Sequence, residues 1–126
     1  MAVDRTEIES VIEVFHQRLA NRDTDAWLEL FSEDCEFRTS FTPEPIVGRD
    51  QLRALAASWP KVINQQEWYA IDGNRLVLGW NERLPSMKNS APSYRGISTL
   101  VFDDTGLIRE YEGVFDTAAV VASINS

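Results

Sequence analysis

The even positions of the segment Arg75 to Leu84 read Leu76, Leu78, Trp80, Glu82 and Leu84. Alternate residues of a strand share a face, so this spacing sets one carboxyl group among apolar side chains. A carboxylate in a low-dielectric site is costly unless it is paired, hydrogen-bonded or protonated. That makes Glu82 the first candidate for chemistry. As a base it could take a proton from a carbon acid or activate water; with a raised pKa it could donate one. The competing reading is a hydrated carboxylate at a strand end. Trp80, two places earlier, would form a wall beside it, and apolar contact raises a carboxyl pKa.

Other side chains could complete such a site. Arg109, Tyr111, Gly113 and Phe115 alternate along the last strand and share a face. Tyr111 could donate a hydrogen bond to a ligand oxygen, or fill the core with its hydroxyl at the rim. Arg109 could pair with Glu82 or bind a ligand acid, or sit in solvent past a turn. His16 lies roughly 80° from the centre of the first helix's apolar stripe at about 100° per residue. It could shuttle protons at a cavity mouth, or pack as an edge residue of the stripe. Thr39 and Ser98 are polar residues on inner strand faces. Either could orient a ligand or bond to backbone.

The elements that must position these groups fall in two blocks. A first helix is expected from Asp4 to Asn21, with Thr6 and Glu9 as a capping box and Ile8, Val11, Ile12, Phe15 and Leu19 as its stripe. A short second helix from about Thr24 buries Trp27, Leu30 and Phe31. Cys35 to Phe41 alternates as a strand with Phe37, Thr39 and Phe41 inward. Thr42-Pro43-Glu44-Pro45 reads as a loop, because proline donates no ladder hydrogen bond. Gly48 precedes a third helix carrying Leu52, Leu55, Ala56 and Trp59, closed by Pro60. From Val62 onward the chain reads as antiparallel strands. Asp72-Gly73-Asn74 and Asp103-Asp104-Thr105-Gly106 turn two hairpins, and a polar loop runs from Pro85 to Pro92. Ala118 to Ile124 is expected to form a final helical turn or two.

The helices must bury their stripes on one face of the sheet. The other face, with Val77, Ile97, Thr99, Val101, Ile108 and Val114, then needs a cover. A homodimer through this outer face is the expectation.

With 126 residues, 44% of them hydrophobic and 25% charged, the chain is expected to be a single domain spanning 1–126. Its net charge of −8 argues against a nucleic-acid partner, which needs clustered cations, and against an anionic membrane surface. Cys35 is the only cysteine, so no internal disulfide forms, and one histidine with one cysteine cannot build the usual zinc sites. No metal and no cofactor is expected. Nothing resembles a signal peptide or a membrane span of roughly 20 apolar residues, and a soluble cytoplasmic protein is expected.

Four segments carry a family resemblance: Ala26-Trp27-Leu28-Glu29-Leu30-Phe31-Ser32-Glu33-Asp34, Val47-Gly48-Arg49-Asp50-Gln51-Leu52, Asp72-Gly73-Asn74-Arg75-Leu76-Val77-Leu78-Gly79-Trp80, and Phe102-Asp103-Asp104-Thr105-Gly106-Leu107-Ile108-Arg109-Glu110. In order and spacing they resemble the nuclear-transport-factor-2-like superfamily, which includes SnoaL-like polyketide cyclases, ketosteroid isomerases and limonene-epoxide hydrolases. The resemblance implies an α+β cone: a curved antiparallel sheet with three N-terminal helices enclosing a pocket, into which the Tyr111 face looks. The three catalytic positions of the ketosteroid isomerases fall on Phe15, Thr39 and Ser98, none of the family's catalytic type. The arginine and aspartate of the epoxide hydrolases fall on Trp80 and Glu82, and their second aspartate falls on Gly113, where SnoaL-like cyclases also place their base.

The implied function is cofactor-free proton transfer on a small apolar metabolite by an isomerase, cyclase, dehydratase or hydrolase. Glu82 would carry the proton, with Tyr111 and His16 as donors, while Phe15, Phe37, Thr39, Trp80, Ser98, Arg109 and Phe115 would contact substrate. The alternative is a non-catalytic ligand-binding or oligomerisation module of the same fold.

Overall fold

The computed structural model describes residues 3–59, 62–83 and 94–124. The expected helix stop at Pro60 and the expected loop at Pro85–Pro92 lie outside them. Helix α1 (Arg5–Ala20) is capped by Asp4, whose carboxylate accepts from the Glu7 amide at 2.9 Å. Asp4, not the expected Thr6–Glu9 box, supplies the acceptor for the helix's orphan amides. Ile8, Val11, Ile12 and Phe15 are buried along one stripe. Helix α2 (Thr24–Leu28) is short and buries Trp27 and Leu28. Arg22 between them holds a left-handed backbone (φ 59°), and its guanidinium donates to the Trp59 carbonyl at 2.9 Å, tying this turn to the end of helix α3 (Arg49–Ala57).

Strand β1 (Phe31–Thr39) starts earlier than expected and absorbs Phe31. Strand β2 (Thr42–Val47) replaces the loop expected over Thr42–Pro45. It pairs antiparallel with β1 and forms the edge of a six-stranded sheet ordered β2-β1-β6-β5-β4-β3. An edge strand tolerates proline because one of its sides has no ladder to complete. The remaining strands, β3 (Ile63–Asp72), β4 (Arg75–Arg83), β5 (Tyr94–Phe102) and β6 (Ile108–Phe115), form an antiparallel meander. The sheet is nevertheless mixed, because β6 returns alongside β1 in parallel. Short turns dictate antiparallel pairing only between strands they join; β1 and β6 are joined by the rest of the fold. Helix α4 (Thr117–Ile124) follows, with Val120 buried. No helix among the described residues is long and apolar enough to cross a membrane.

Two irregularities shape the site. Between β3 and β4 the register slips at Glu67, so that Gln66 faces Trp80 and Trp68 faces Gly79. Between β5 and β6, Val101 faces Glu110 and Phe102 faces Ile108, leaving Arg109 as an extra residue. Such a bulge resets the alternation. Ile108, expected on the outer face, is therefore fully buried in the core, and Arg109, expected inward with Tyr111, is exposed.

The core packs Leu76, Leu78, Leu100 and Phe102 of the sheet against Ile8, Phe15, Trp27 and Leu52 of the helices. The outer face carries an apolar row across four neighbouring strands: Trp68, Gly79, Ile97 and Val114 are successive register partners. Trp68, Ile97 and Val114 are 50%, 46% and 56% exposed. Ion pairs between Arg38 and Glu112 (3.8 Å) and between Arg95 and Glu67 (3.3 Å) flank the row.

Candidate active site

Helices α1 to α4 and the concave sheet face enclose a cavity of about 300 Å³, at the small end of ligand pockets. Its walls are aromatic, built by Phe15, Trp27, Phe37, Trp59, Trp80 and Phe115. Arg22 and Phe41, both exposed, mark its rim.

Glu82 faces this cavity as its alternation with Leu76, Leu78 and Trp80 predicts. Two register partners address its carboxyl group. Asn64 on β3 and Tyr94 on β5 lie directly opposite Glu82 on either side. Asn64 Nδ2 donates to Glu82 Oε2 at 3.0 Å. The Tyr94 hydroxyl donates to the same group. Burial pushes the Glu82 carboxyl above its ordinary range, and the hydrogen bonds from Asn64 and Tyr94 pull it partly back. The Tyr94 hydroxyl is itself held protonated, first by burial and then by the neighbouring Glu82 charge. Asn64 Oδ1 is buried without a partner. Turning that amide over would present this acceptor to a protonated Glu82, so Asn64 can serve either charge state.

A second group lines the same cavity. The Tyr111 ring stacks between Phe15 (5.7 Å, 10°) and Phe37 (4.4 Å, 5°). Its hydroxyl lies 2.7 Å from Ser98 Oγ, which accepts from Trp80 Nε1 at 2.8 Å. An indole N–H only donates, so Ser98 has its own proton free for Tyr111. Either hydroxyl can donate in the Ser98–Tyr111 pair; with Ser98 as the donor, the phenol proton is left for a ligand. Burial raises the Tyr111 pKa and keeps the hydroxyl a donor; the Ser98 bond opposes this and the Glu82 charge adds to it. A Cβ at Gly113 would stand 3.1 Å from the Tyr111 hydroxyl, so the phenol fills the space where a side chain at 113 would project.

His16 also lines the cavity. Its Nδ1 lies 2.8 Å from Gln66 Nε2, and burial lowers its pKa to about 4, so the ring is neutral.

Phe15, Phe37, Thr39, Trp80 and Phe115 line the cavity as expected. The Thr39 hydroxyl is engaged in the β1–β2 turn, with Thr42 Oγ1 at 3.1 Å and the Phe41 amide at 3.2 Å. Ser98 is fully buried behind Trp80 and Tyr111 and is not among the lining residues, so it acts on the cavity through them. Arg109 departs from its expected position: the β6 bulge turns it away, and it lies outside the cavity. Asn64, Gln66 and Tyr94 escaped the sequence reading. Strict register from the Asp72–Arg75 turn would set Gln65 opposite Glu82; only the Glu67 bulge brings in Asn64.

The sequence profile of the SnoaL-like domain matches residues 12–111. No curated protein matches the sequence. Solved structures share the fold at low identity. One is a nuclear-transport-factor-2-like protein of unknown function from Burkholderia pseudomallei (16% identity, TM-score 0.83, covering 95% of this chain and 98% of that one). Another is TerC, co-crystallised with polyporic acid (17%, TM-score 0.79, 95% and 98%). A third is a protein from a Jannaschia species described as a candidate SnoaL-like polyketide cyclase (17%, TM-score 0.76, 95% and 92%). With the profile match spanning most of its length and the same sheet beneath it, this chain belongs to the SnoaL-like domain family.

Proposed function

We propose that this protein is an enzyme that moves a proton within a small, mostly apolar metabolite bearing a carbonyl group, and that it needs no cofactor to do so. The observation that carries the reading is Glu82: a part-buried carboxyl group on an aromatic cavity, addressed by two donors, with the Tyr111 phenol in the same cavity. Tyr111 would hold the substrate's carbonyl oxygen as negative charge develops there. Glu82 would take a proton from the adjacent carbon and return it elsewhere on the same molecule, giving isomerisation, or to a departing hydroxyl, giving dehydration. A raised carboxyl pKa suits both halves of that exchange, because the group must accept and release a proton near neutral pH.

Incubating the protein in deuterated water with a panel of cyclic enones and hydroxyketones tests this. The wild type is expected to exchange hydrogen next to the carbonyl of at least one compound, and Glu82→Gln to lose about 10²- to 10⁴-fold of that rate. A folded Glu82→Gln protein with undiminished exchange would refute the assignment.

A ligand carrier of the same fold is the second reading. Gly113 favours it, because the last strand offers no second carboxylate. Asn64 and Tyr94 weigh against it, because a passive apolar pocket has no need of two donors around one part-buried acid. The outer sheet face is proposed to seat a second copy of this chain. Trp68, Ile97 and Val114 form a row that a two-fold axis would lay against itself. Light scattering is expected to give twice the chain mass, and Ile97→Lys to halve it; a wild-type monomer at micromolar concentration contradicts this.

A further inference from the structure

His16 belongs to two surfaces at once. On one side it lines the aromatic cavity with Glu82; on the other it lines a shallow groove between α1 and β3 with Glu13, Gln17, Asn64 and Gln66. The imidazole is thus part of the wall between the cavity and the outside. Gln66 lines the groove but not the cavity, so the ring edge it holds is the groove edge.

The orientation of that ring follows from two distances. Gln66 Nε2 lies 3.1 Å from the Ile12 carbonyl oxygen and 2.8 Å from His16 Nδ1. A carbonyl oxygen only accepts, so the nitrogen of the Gln66 amide, not its oxygen, faces Ile12. An amide nitrogen only donates, so its second hydrogen goes to Nδ1, which must present a lone pair. An imidazole with a bare Nδ1 carries its proton on Nε2. Among the described residues Nε2 has no protein partner. The Phe15 ring, 5.0 Å away and edge-on, packs against the imidazole and limits its rotation.

We infer that Gln66 is a positioning residue: it locks His16 in the Nε2–H tautomer and leaves that N–H at the cavity as a neutral donor for a ligand oxygen. His16 is then not the proton shuttle that its boundary position in α1 suggests. A ring whose lone pair is already occupied cannot pick up the substrate's proton without breaking the Gln66 bond. Its Nε2–H can instead stabilise a developing oxyanion. The charged and titratable groups around it are Glu82, Tyr94, Tyr111 and Arg22 on the cavity side and Glu13 on the groove side. Burial keeps the ring neutral. The tautomer stands independently of the proposed reaction; only the ligand oxygen that would receive the bond rests on that reading.

His16 is the only histidine in the chain, so nitrogen NMR of the imidazole reads it without assignment ambiguity. The wild type is expected to show a protonated Nε2 and a bare Nδ1 throughout about pH 5 to 8. Gln66→Glu keeps the shape but replaces the donor by an acceptor. Nδ1 must then carry a proton, as the Nδ1–H tautomer or as the imidazolium, and the titration midpoint is expected to rise above that of wild type. Gln66→Met, which offers no donor, is expected to give a mixture of tautomers. A wild-type ring protonated at Nδ1, or spectra of both variants identical to wild type, would overturn the inference. Loss of activity in Glu82→Gln leaves these spectra unaffected, so the two ideas fail separately.

Discussion

Two tryptophans lie flat across glycines of the neighbouring strand, one on each face of the sheet. Inside, Trp80 covers Gly96; outside, Trp68 covers Gly79. The device is the same, since a missing Cβ lets an indole approach the backbone closely. The surroundings differ. Trp80 is 5% exposed, and its N–H is bonded to Ser98. Tyr94 and Phe115 pack near its ring. Trp68 is half exposed. One indole is therefore a fixed wall beside a carboxyl group, and the other is adaptable apolar surface. The pair teaches that a tryptophan on a glycine makes a flat wall, and that what borders the wall decides its use.

Adding one carbon to each glycine is the strongest way to break this contrast. At Gly96 a Cβ would fall 2.2 Å from Trp80, which cannot move without losing Ser98. Gly96→Ala is expected to cost about 3 kcal/mol. At Gly79 the Cβ would fall 2.1 Å from Trp68, whose ring can swing into solvent. Gly79→Ala is expected to cost less than about 1 kcal/mol. Urea midpoints measure both, and equal losses would erase the distinction. A smaller effect sharpens it. Ser98→Ala leaves the Trp80 N–H buried without an acceptor and is expected to cost about 2 kcal/mol. Thr99→Ala, one residue along and outward, is expected to stay within about 0.5 kcal/mol.

The inner face was largely legible from alternation, because a regular strand carries a period of two from one end to the other. Glu82, Trp80, Phe37, Tyr111 and Phe115 all reach the cavity for that reason. Legibility stops where a bulge adds a residue. Arg109 shares the parity of Tyr111, yet the bulge turns it outward and brings Ile108 in. The Glu67 bulge likewise hides Asn64, and Tyr94 lies beyond a long connection that leaves its register unspecified. The prolines of Thr42–Val47 argued against a strand, but that rule binds only strands paired on both sides. Gln66 was invisible because its role depends on a helix far away in sequence that brings His16 within hydrogen-bond reach.

Glu82 and His16 also pull stability in opposite directions with pH. His16 is neutral in the fold, with a pKa lowered from 6.5 to about 4. Its contribution is present above pH 6.5 and is lost as pH falls through about 4. Glu82 has a raised pKa, so the fold favours its protonated form. Its contribution is present below the ordinary carboxyl value and is lost as pH rises through the folded value. Comparing wild type with Glu82→Gln cancels the histidine, which titrates in both.

The stability difference between these two proteins, followed by urea unfolding from acid to neutral pH, tests most directly whether Glu82 is the inward, desolvated acid on which the chemistry depends. The expected result is that Glu82→Gln matches wild type in acid and becomes progressively more stable than it as pH rises through the carboxyl range, reaching a plateau at neutral pH. A difference that does not change with pH, or a variant less stable than wild type at neutral pH, would mean that the charged carboxylate is well solvated or paired, and the proton-carrier role would not stand.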